Sequence, residues 1–287
     1  MAELLKGAEV AAALNERLRQ EVAALQERGV RPCLALVRAG ERADDVYYEK
    51  NAVRRCEKAG VGVRLFTLPE TASTGQVLEV IEKINSDAAI HGCLVFRPLP
   101  PGIDDAAVRA ALRTEKDVDG ITDGSLAGVI TGAAQGFPPC TAQACLEILD
   151  HYGMDACGKL VTLLGRSLVV GRPLSLLLLS RNATVTVCHS KSGQEDIRRC
   201  SRQADIVVTC LGRPEMVDES FLSEDQIILD VGFNPLPDGS VVGDVRFSAA
   251  QGARAVTPVP GGVGTVTTSV LVKHTVTAAA RQNGITL

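Results

Sequence analysis

The run Gly165-Arg166-Ser167-Leu168-Val169-Val170-Gly171-Arg172-Pro173 directly follows an apolar stretch, Lys159 to Leu164. Pro173 suits the first turn of a helix. A glycine-bearing turn between strand and helix lets backbone approach a pyrophosphate, and the helix N-terminus adds unpaired N–H groups and positive dipole charge. The two glycines stand six residues apart, not in the GxGxxG spacing. A plain strand–turn–helix connection accounts for that spacing equally well. The next predicted strand ends in Cys188-His189-Ser190-Lys191, without the carboxylate that takes ribose hydroxyls in an NAD site. Arg166, Ser167 and this strand end would instead receive a 2′-phosphate. Arg166 and Lys191 are also readable as ordinary solvated charges; together with the turn, the NADP reading is favoured.

Metal chemistry finds no support. The nine cysteines are scattered without a CxxC pair or zinc-like spacing, and the four histidines are dispersed. The reading is reduced core thiols in a cytoplasmic protein, with Cys140 and Cys188 structural and His189 packing a strand end. A net charge of −4 argues against a general grip on nucleic acid. No apolar run reaches the roughly 20 residues that span a bilayer, and the N-terminus lacks a secretion signal. With 46% hydrophobic, 22% charged and only 3% aromatic residues, the chain must build an aliphatic core. Its 287 residues suggest two domains or one large α/β domain.

The elements that must position these residues alternate along the chain. Helical spacing of Val10, Leu14, Leu18, Val22 and Leu25 predicts a helix over 8–28. Strands are expected at 32–37, 61–68 and 92–95. Helices are expected at 44–59, closed by Gly60, and at 74–86 and 104–112. Residues 115–137, rich in Gly and Asp, read as a functional loop. A helix follows over 142–152, with Thr141 as its N-cap. A second alternation starts at Gly158, with strands at 159–164, 183–188, 205–210, 227–231 and 255–256 and helices at 173–180 and 195–200. Leu164, Val185, Val208 and Leu229 are expected in one parallel, Rossmann-like sheet. A last helix over 267–282 would pack back on the first domain. The fold class is α/β with two domains: 1–143 plus 266–287, and 144–265.

Four stretches together resemble the bifunctional methylenetetrahydrofolate dehydrogenase/methenyltetrahydrofolate cyclohydrolases. They are Glu115-Lys116-Asp117-Val118-Asp119-Gly120, Pro139-Cys140-Thr141, the run from Gly165 to Pro173, and Thr257-Pro258-Val259-Pro260-Gly261-Gly262-Val263-Gly264. The run from Asn182 to Lys191 and that from Gly92 to Pro100 are similar too. The resemblance is collinear over nearly the whole chain. It implies a folate-binding catalytic domain, a Rossmann-like NAD(P) domain, a folate cleft between them and a homodimer paired through the nucleotide domains. The reaction implied is oxidation of 5,10-methylenetetrahydrofolate to the methenyl form with NADP, then hydrolysis to 10-formyltetrahydrofolate.

By the resemblance, Tyr48 and Asp119 are catalytic. The same two, with Phe96, Arg97, Pro98, Pro260 and Gly261, bind substrate, Asp119 holding the pterin. The cofactor set it implies is Gly165, Arg166, Ser167, Val170, Gly171, Pro173, His189, Ser190, Cys210, Gly212, Asp230, Gly232, Gly262, Val263, Gly264 and Thr267.

The chain departs from the pattern where the chemistry lies. The family pairs its Tyr with a Lys four residues later, one turn along the same helical face. Here that position is Ala52. Lys50 projects to the opposite face, about 200° round. The family's strand-end Gln followed by Leu is Phe96 followed by Arg97. Phe96 is expected to fill the space left by Gln and Lys. Arg97 reads equally as a surface charge or as facing the glutamate tail of a folate. Ala142 and Thr265-Val266 are smaller departures. The expectation is a dehydrogenase whose cyclohydrolase step is weak or absent, the alternative being a non-catalytic folate- or nucleotide-binding paralogue.

Overall fold

The computed structural model describes residues 2–287. In chain order its first half holds β1 (Glu3–Leu4), α1 (Gly7–Glu27), β2 (Cys33–Ala39), α2 (Ala43–Ala59), β3 (Gly62–Leu68), α3 (Thr74–Ser86), β4 (Gly92–Val95), α4 (Asp105–Ala111), α5 (Asp123–Thr131) and α6 (Cys140–His151). The second half holds β5 (Leu160–Leu164), α7 (Gly171–Ser180), β6 (Thr184–Cys188), α8 (Gln194–Gln203), β7 (Ile206–Thr209), β8 (Ile227–Asp230), β9 (Asn234–Pro235), β10 (Val241–Val242), β11 (Ala255–Val256) and α9 (Val263–Gln282).

The chain divides into two compact units. One joins the N-terminal residues up to Ala12 with Thr141–Thr267, and the other joins Ala13–Cys140 with Thr268–Leu287. The first contains a parallel six-stranded sheet of order β1-β11-β8-β7-β5-β6. Leu164, Val185, Val208 and Leu229 all lie in it, in register with their neighbours. The opening residues, expected with the folate domain, fall in this unit instead. Glu3 and Leu4 pair with Ala255 and Val256 and extend the sheet, a pairing too short to show as a periodic run.

The second unit is built on a parallel three-stranded sheet of order β3-β2-β4. Val37 and Val95 share one face of it with Ile81 and Val77 of α3. The helix α2 ends at Gly60 in the left-handed conformation, its N–H on the Cys56 and Glu57 carbonyls. Ser73 and Gln76 form a reciprocal capping box on α3. The helix α9 is buried nearly all round, from Val266 through Val270, Leu271, Val272 and Val276 to Ala280.

Three expectations are corrected. The 115–137 segment is not wholly loop, for α5 runs through it, opened by Thr122 accepting from Ser125 N and closed at Gly132. Its inward face is Ser125, Gly128 and Val129, small residues that leave no large-apolar periodicity to read. The helix α6 starts at Cys140, so Thr141 lies inside it and is no cap. The helix α9 starts at Val263, four residues early, placing Gly264, Thr265 and Val266 in its first turn.

Candidate functional site

In the six-stranded unit the turn after β5 is as tight as its sequence suggests. Gly165 has φ +131°, and a Cβ there would lie 2.5 Å from the Cys210 carbonyl oxygen. A Cβ on Gly171 would lie 2.2 Å from the Gly165 oxygen, so neither position admits a side chain. The Ser167 hydroxyl accepts from Val170 N at 3.1 Å and its carbonyl from Arg172 N, which shapes the loop onto the start of α7. Pro173 is buried in that first helical turn. Arg166 is exposed, as are Ser190 and Lys191 at the end of β6. His189 is held locally: its Nδ1 accepts from Lys191 N at 3.1 Å, and its N–H donates to the Ser192 hydroxyl. No carboxylate occurs between Cys188 and Ser192.

Other members of the predicted cofactor set shape loops. Cys210 donates its thiol to the Leu164 carbonyl. Asp230 is buried and accepts from Gly232 N, Asp244 N, Val245 N and the Thr209 hydroxyl. Burial holds its carboxyl above the usual range, against those bonds. Gly232 runs against Asp244, where a Cβ would come within 2.5 Å of a carboxylate oxygen. Sequence reasoning missed Asp244, which accepts from Leu211 N, Gly212 N, Arg213 N and Asn234 Nδ2 and so sets the loop around Gly212. An Asp in the run Gly243-Asp244-Val245 was the available signal. Gly262, Val263 and Gly264 form the entry to α9 after Pro260 and Gly261, and Thr267 turns its hydroxyl onto the Val263 carbonyl of its own helix.

The second unit gathers the other predicted residues. Tyr48 lies on α2, with its ring edge-on to Phe96, centroids 6.0 Å apart at 80°. Ala52, one turn along, is fully buried, and Phe96 is 7% exposed. The Tyr48 phenol has Asp119, Cys140 and Thr268 around it. Burial first, then the neighbouring Cys140 and Asp119, hold it well above the usual phenol range, and a hydrogen bond with Thr268 works the other way. Asp119 is set by a knot formed by the residue two before it: Asp117, fully buried, accepts from Gly120 N, Ile121 N and Thr122 N. Burial, reinforced by Asp117, pushes the Asp119 carboxyl up to about 7, against a hydrogen bond from Cys140 and the charge of Arg97. Cys140 also donates to the Val118 carbonyl at 3.3 Å.

Arg97, two residues beyond β4, is exposed. It is clamped by Asp105, Nε to Oδ1 at 2.5 Å and Nη2 to Oδ2 at 2.6 Å, and Asp105 also takes Arg109. Its charge still reaches Asp119. Pro98, next along, accepts from Arg42 through its carbonyl. Among the described residues no cluster of His, Cys, Asp and Glu could hold a metal ion, and no helix is long and apolar enough to cross a membrane.

Two family models match the chain. The catalytic domain of tetrahydrofolate dehydrogenase/cyclohydrolase covers residues 5–119, and the NAD(P)-binding domain of the same family covers 139–283. The bifunctional protein FolD 1 of Desulfitobacterium hafniense (strain Y51) is 41% identical over 98% of this chain and all of its own length. The FolD protein of Clostridioides difficile (strain 630) is 42% identical over 98% of both. Among solved structures, the bifunctional FolD enzyme of Campylobacter jejuni superposes with a TM-score of 0.94 at 33% identity, over 98% of this chain and 99% of that one. The Trypanosoma brucei dehydrogenase-cyclohydrolase complexed with NADP cofactor and inhibitor gives 0.92 at 35% identity, over 98% of both. The α/β architecture, the glycine-tight turn and the Tyr48–Asp119 cluster thus stand on a chain that matches these relatives from end to end: it is an enzyme of the tetrahydrofolate dehydrogenase/cyclohydrolase family.

Proposed function

We propose that this chain is an NADP-dependent 5,10-methylenetetrahydrofolate dehydrogenase in which hydrolysis of the methenyl product is weak or absent. The observation that carries the reading is the fully buried Ala52 one turn from Tyr48, with Phe96 packed edge-on against the same ring. NADP, when bound, accepts a hydride. The residues present fit it: a turn too tight for any Cβ at Gly165 and Gly171, the start of a ten-residue helix, and Arg166, Ser190 and Lys191 exposed without a competing carboxylate.

On the folate side, the Asp119 carboxylate would take the amidine edge of the pterin by paired charge-assisted bonds. Hydride transfer then needs orientation and exclusion of water, which positioning supplies. Hydrolysis needs an activated water and a moved proton. Ala52 can do neither, and Phe96 replaces a polar neighbour with a ring. The loss of one acid–base group typically costs about 10²–10⁴-fold. The retained Tyr48 and Asp119, and the intact turn, support catalysis over a binding-only role. The exposed edge strand β6, with Val187 37% exposed, supports pairing of two copies through this unit. The cytoplasm is the proposed location, supported by nine cysteines all present as free thiols.

The test supplies methenyltetrahydrofolate and follows its loss against buffer alone, alongside the dehydrogenase rate. Reduction of NADP with hydrolysis near the buffer rate is expected. Hydrolysis matching the dehydrogenase step would overturn the reading.

A further inference from the structure

We infer that His274 is the positioning residue for Asp119: with Cys140 it pins the Val118 carbonyl, and so fixes the peptide plane from which Asp119 springs. The inference deepens the dehydrogenase reading above, which sets Asp119 on the pterin, and rests on it.

The Val118 carbonyl oxygen carries two side-chain contacts. His274 Nδ1, from α9, lies 2.9 Å from it, and the Cys140 thiol, from the start of α6, donates to it at 3.3 Å. A carbonyl oxygen only accepts, so the His274 proton sits on Nδ1. The two donors stand 3.7 Å apart and between them use both lone pairs of the one oxygen. Val118 is fully buried, where water does not replace a lost donor. Its C=O and the Asp119 N–H belong to one planar peptide, so holding the oxygen holds the Asp119 nitrogen. On the other side of Asp119, the Asp117 carboxylate takes the N–H groups of Gly120, Ile121 and Thr122. The backbone that carries the Asp119 side chain is therefore fixed from both directions.

The imidazole is itself held in place. It is 4% exposed and stacks on the Phe137 ring, centroids 4.8 Å apart at 30°. Arg281, two turns further along α9, sets its guanidinium 4.7 Å from the centroid of the same ring and donates Nη1 to the Ala134 and Gly136 carbonyls. A spacing of seven residues puts His274 and Arg281 on one face of the helix. That face grips both the segment leading into α6 and the carbonyl before Asp119. The hydroxyls of Thr267 and Thr275 bond instead to carbonyls of α9 itself. Packing alone would be served by an apolar side chain of similar volume. What the imidazole adds is a donor aimed at the Val118 oxygen.

The test separates the donor from the bulk of the ring. His274→Leu keeps apolar volume and removes the donor, whereas His274→Asn keeps an N–H at the place of Nδ1. His274→Leu should raise KM for methylenetetrahydrofolate about 5- to 10-fold, as for a donor lost from a buried carbonyl, with KM for NADP unchanged. His274→Asn should return it to within about 2-fold of wild type. In an Asp119→Asn background, His274→Leu should raise it no further. The chain has four histidines, and isotopic labelling of their nitrogens reads by NMR which nitrogen of each is protonated. The imidazole whose signals vanish in His274→Asn should carry a proton on Nδ1. A wild-type folate KM in His274→Leu, equal losses in the two variants, losses that multiply with Asp119→Asn, or a proton on Nε2 alone would each overturn the proposal. Should His274→Leu not fold, His274→Met carries the same expectations. If the wild-type chain oxidises no methylenetetrahydrofolate, the dehydrogenase reading fails. The nitrogen spectrum and calorimetric binding of tetrahydrofolate to the same variants then decide whether His274 positions Asp119.

Discussion

Arg38 and Glu49 form a buried ion pair, Nε to Oε2 at 3.0 Å, that ties the end of β2 to α2 at the residue after Tyr48. Val37 pairs with Val95, so the next residues on these parallel strands, Arg38 and Phe96, share the opposite face of the sheet. Arg38 also donates to the Gly40 carbonyl. The pair fixes the rotation of α2 over the sheet and thereby the height of Tyr48 above Phe96.

Breaking one half of this pair should be costly and replacing both should not. Arg38→Met or Glu49→Leu alone is expected to lower unfolding free energy by about 3–5 kcal/mol, because a charge is left buried and unpaired. The double variant should recover most of that loss. Urea unfolding of the three variants checks it, and equal losses in single and double variants would contradict it.

The Asp119 carboxyl, pushed up to about 7 by burial, gives a pH dependence of defined sign. Only its ionised form can accept both donors of a pterin amidine, so KM for the folate should rise as pH falls below about 7. Asp119→Asn should raise that KM, remove its pH dependence and leave NADP binding nearly intact. For stability the sign is opposite. The carboxyl binds its proton more tightly folded than unfolded, so its contribution is complete below about 4 and is lost as pH rises through about 7. Thermal melts of wild type against Asp119→Asn between pH 4 and 8 should therefore converge toward low pH.

Arg166→Ala should weaken NADP by about 10- to 100-fold and NAD much less, as expected for one charge-assisted contact to a 2′-phosphate. Michaelis constants for both cofactors give the answer. Equal loss for the two would remove Arg166 from phosphate recognition.

Restoring the absent pair should reveal what it did. Ala52→Lys with Phe96→Gln is expected to raise methenyl hydrolysis by about 10²-fold or more over wild type, with the dehydrogenase rate changed far less. An unchanged hydrolysis rate would show that Ala52 and Phe96 are not what limits that step.

Much of this molecule is legible in its sequence because local rules carry it. The capping box at Ser73 and the glycine stop at Gly60 delimit α3 and α2 within a residue. The four-residue spacing within one helix sets Ala52 one turn from Tyr48. The illegible parts are those decided by partners remote in the chain. Small residues facing inward hid α5. Asp244 acts through backbone donors that no motif announces. Arg97 looked free in sequence, and Asp105 claims it only once α4 is folded.

The division of the chain exchanges its two ends. The first strand, β1, closes the nucleotide sheet beside β11, while the last helix, α9, completes the catalytic unit. Gln282 donates to the His91 and Glu115 carbonyls, and Arg281 to those of Ala134 and Gly136. A ribosome therefore delivers the sheet of the catalytic unit well before α9, with Thr141–Thr267 of the other unit between them, so the catalytic unit cannot finish folding until α9 has emerged. No single proteolytic cut between them separates the two units whole, and a break within α9 would strip the catalytic unit of its helix while sparing every residue of the dinucleotide turn.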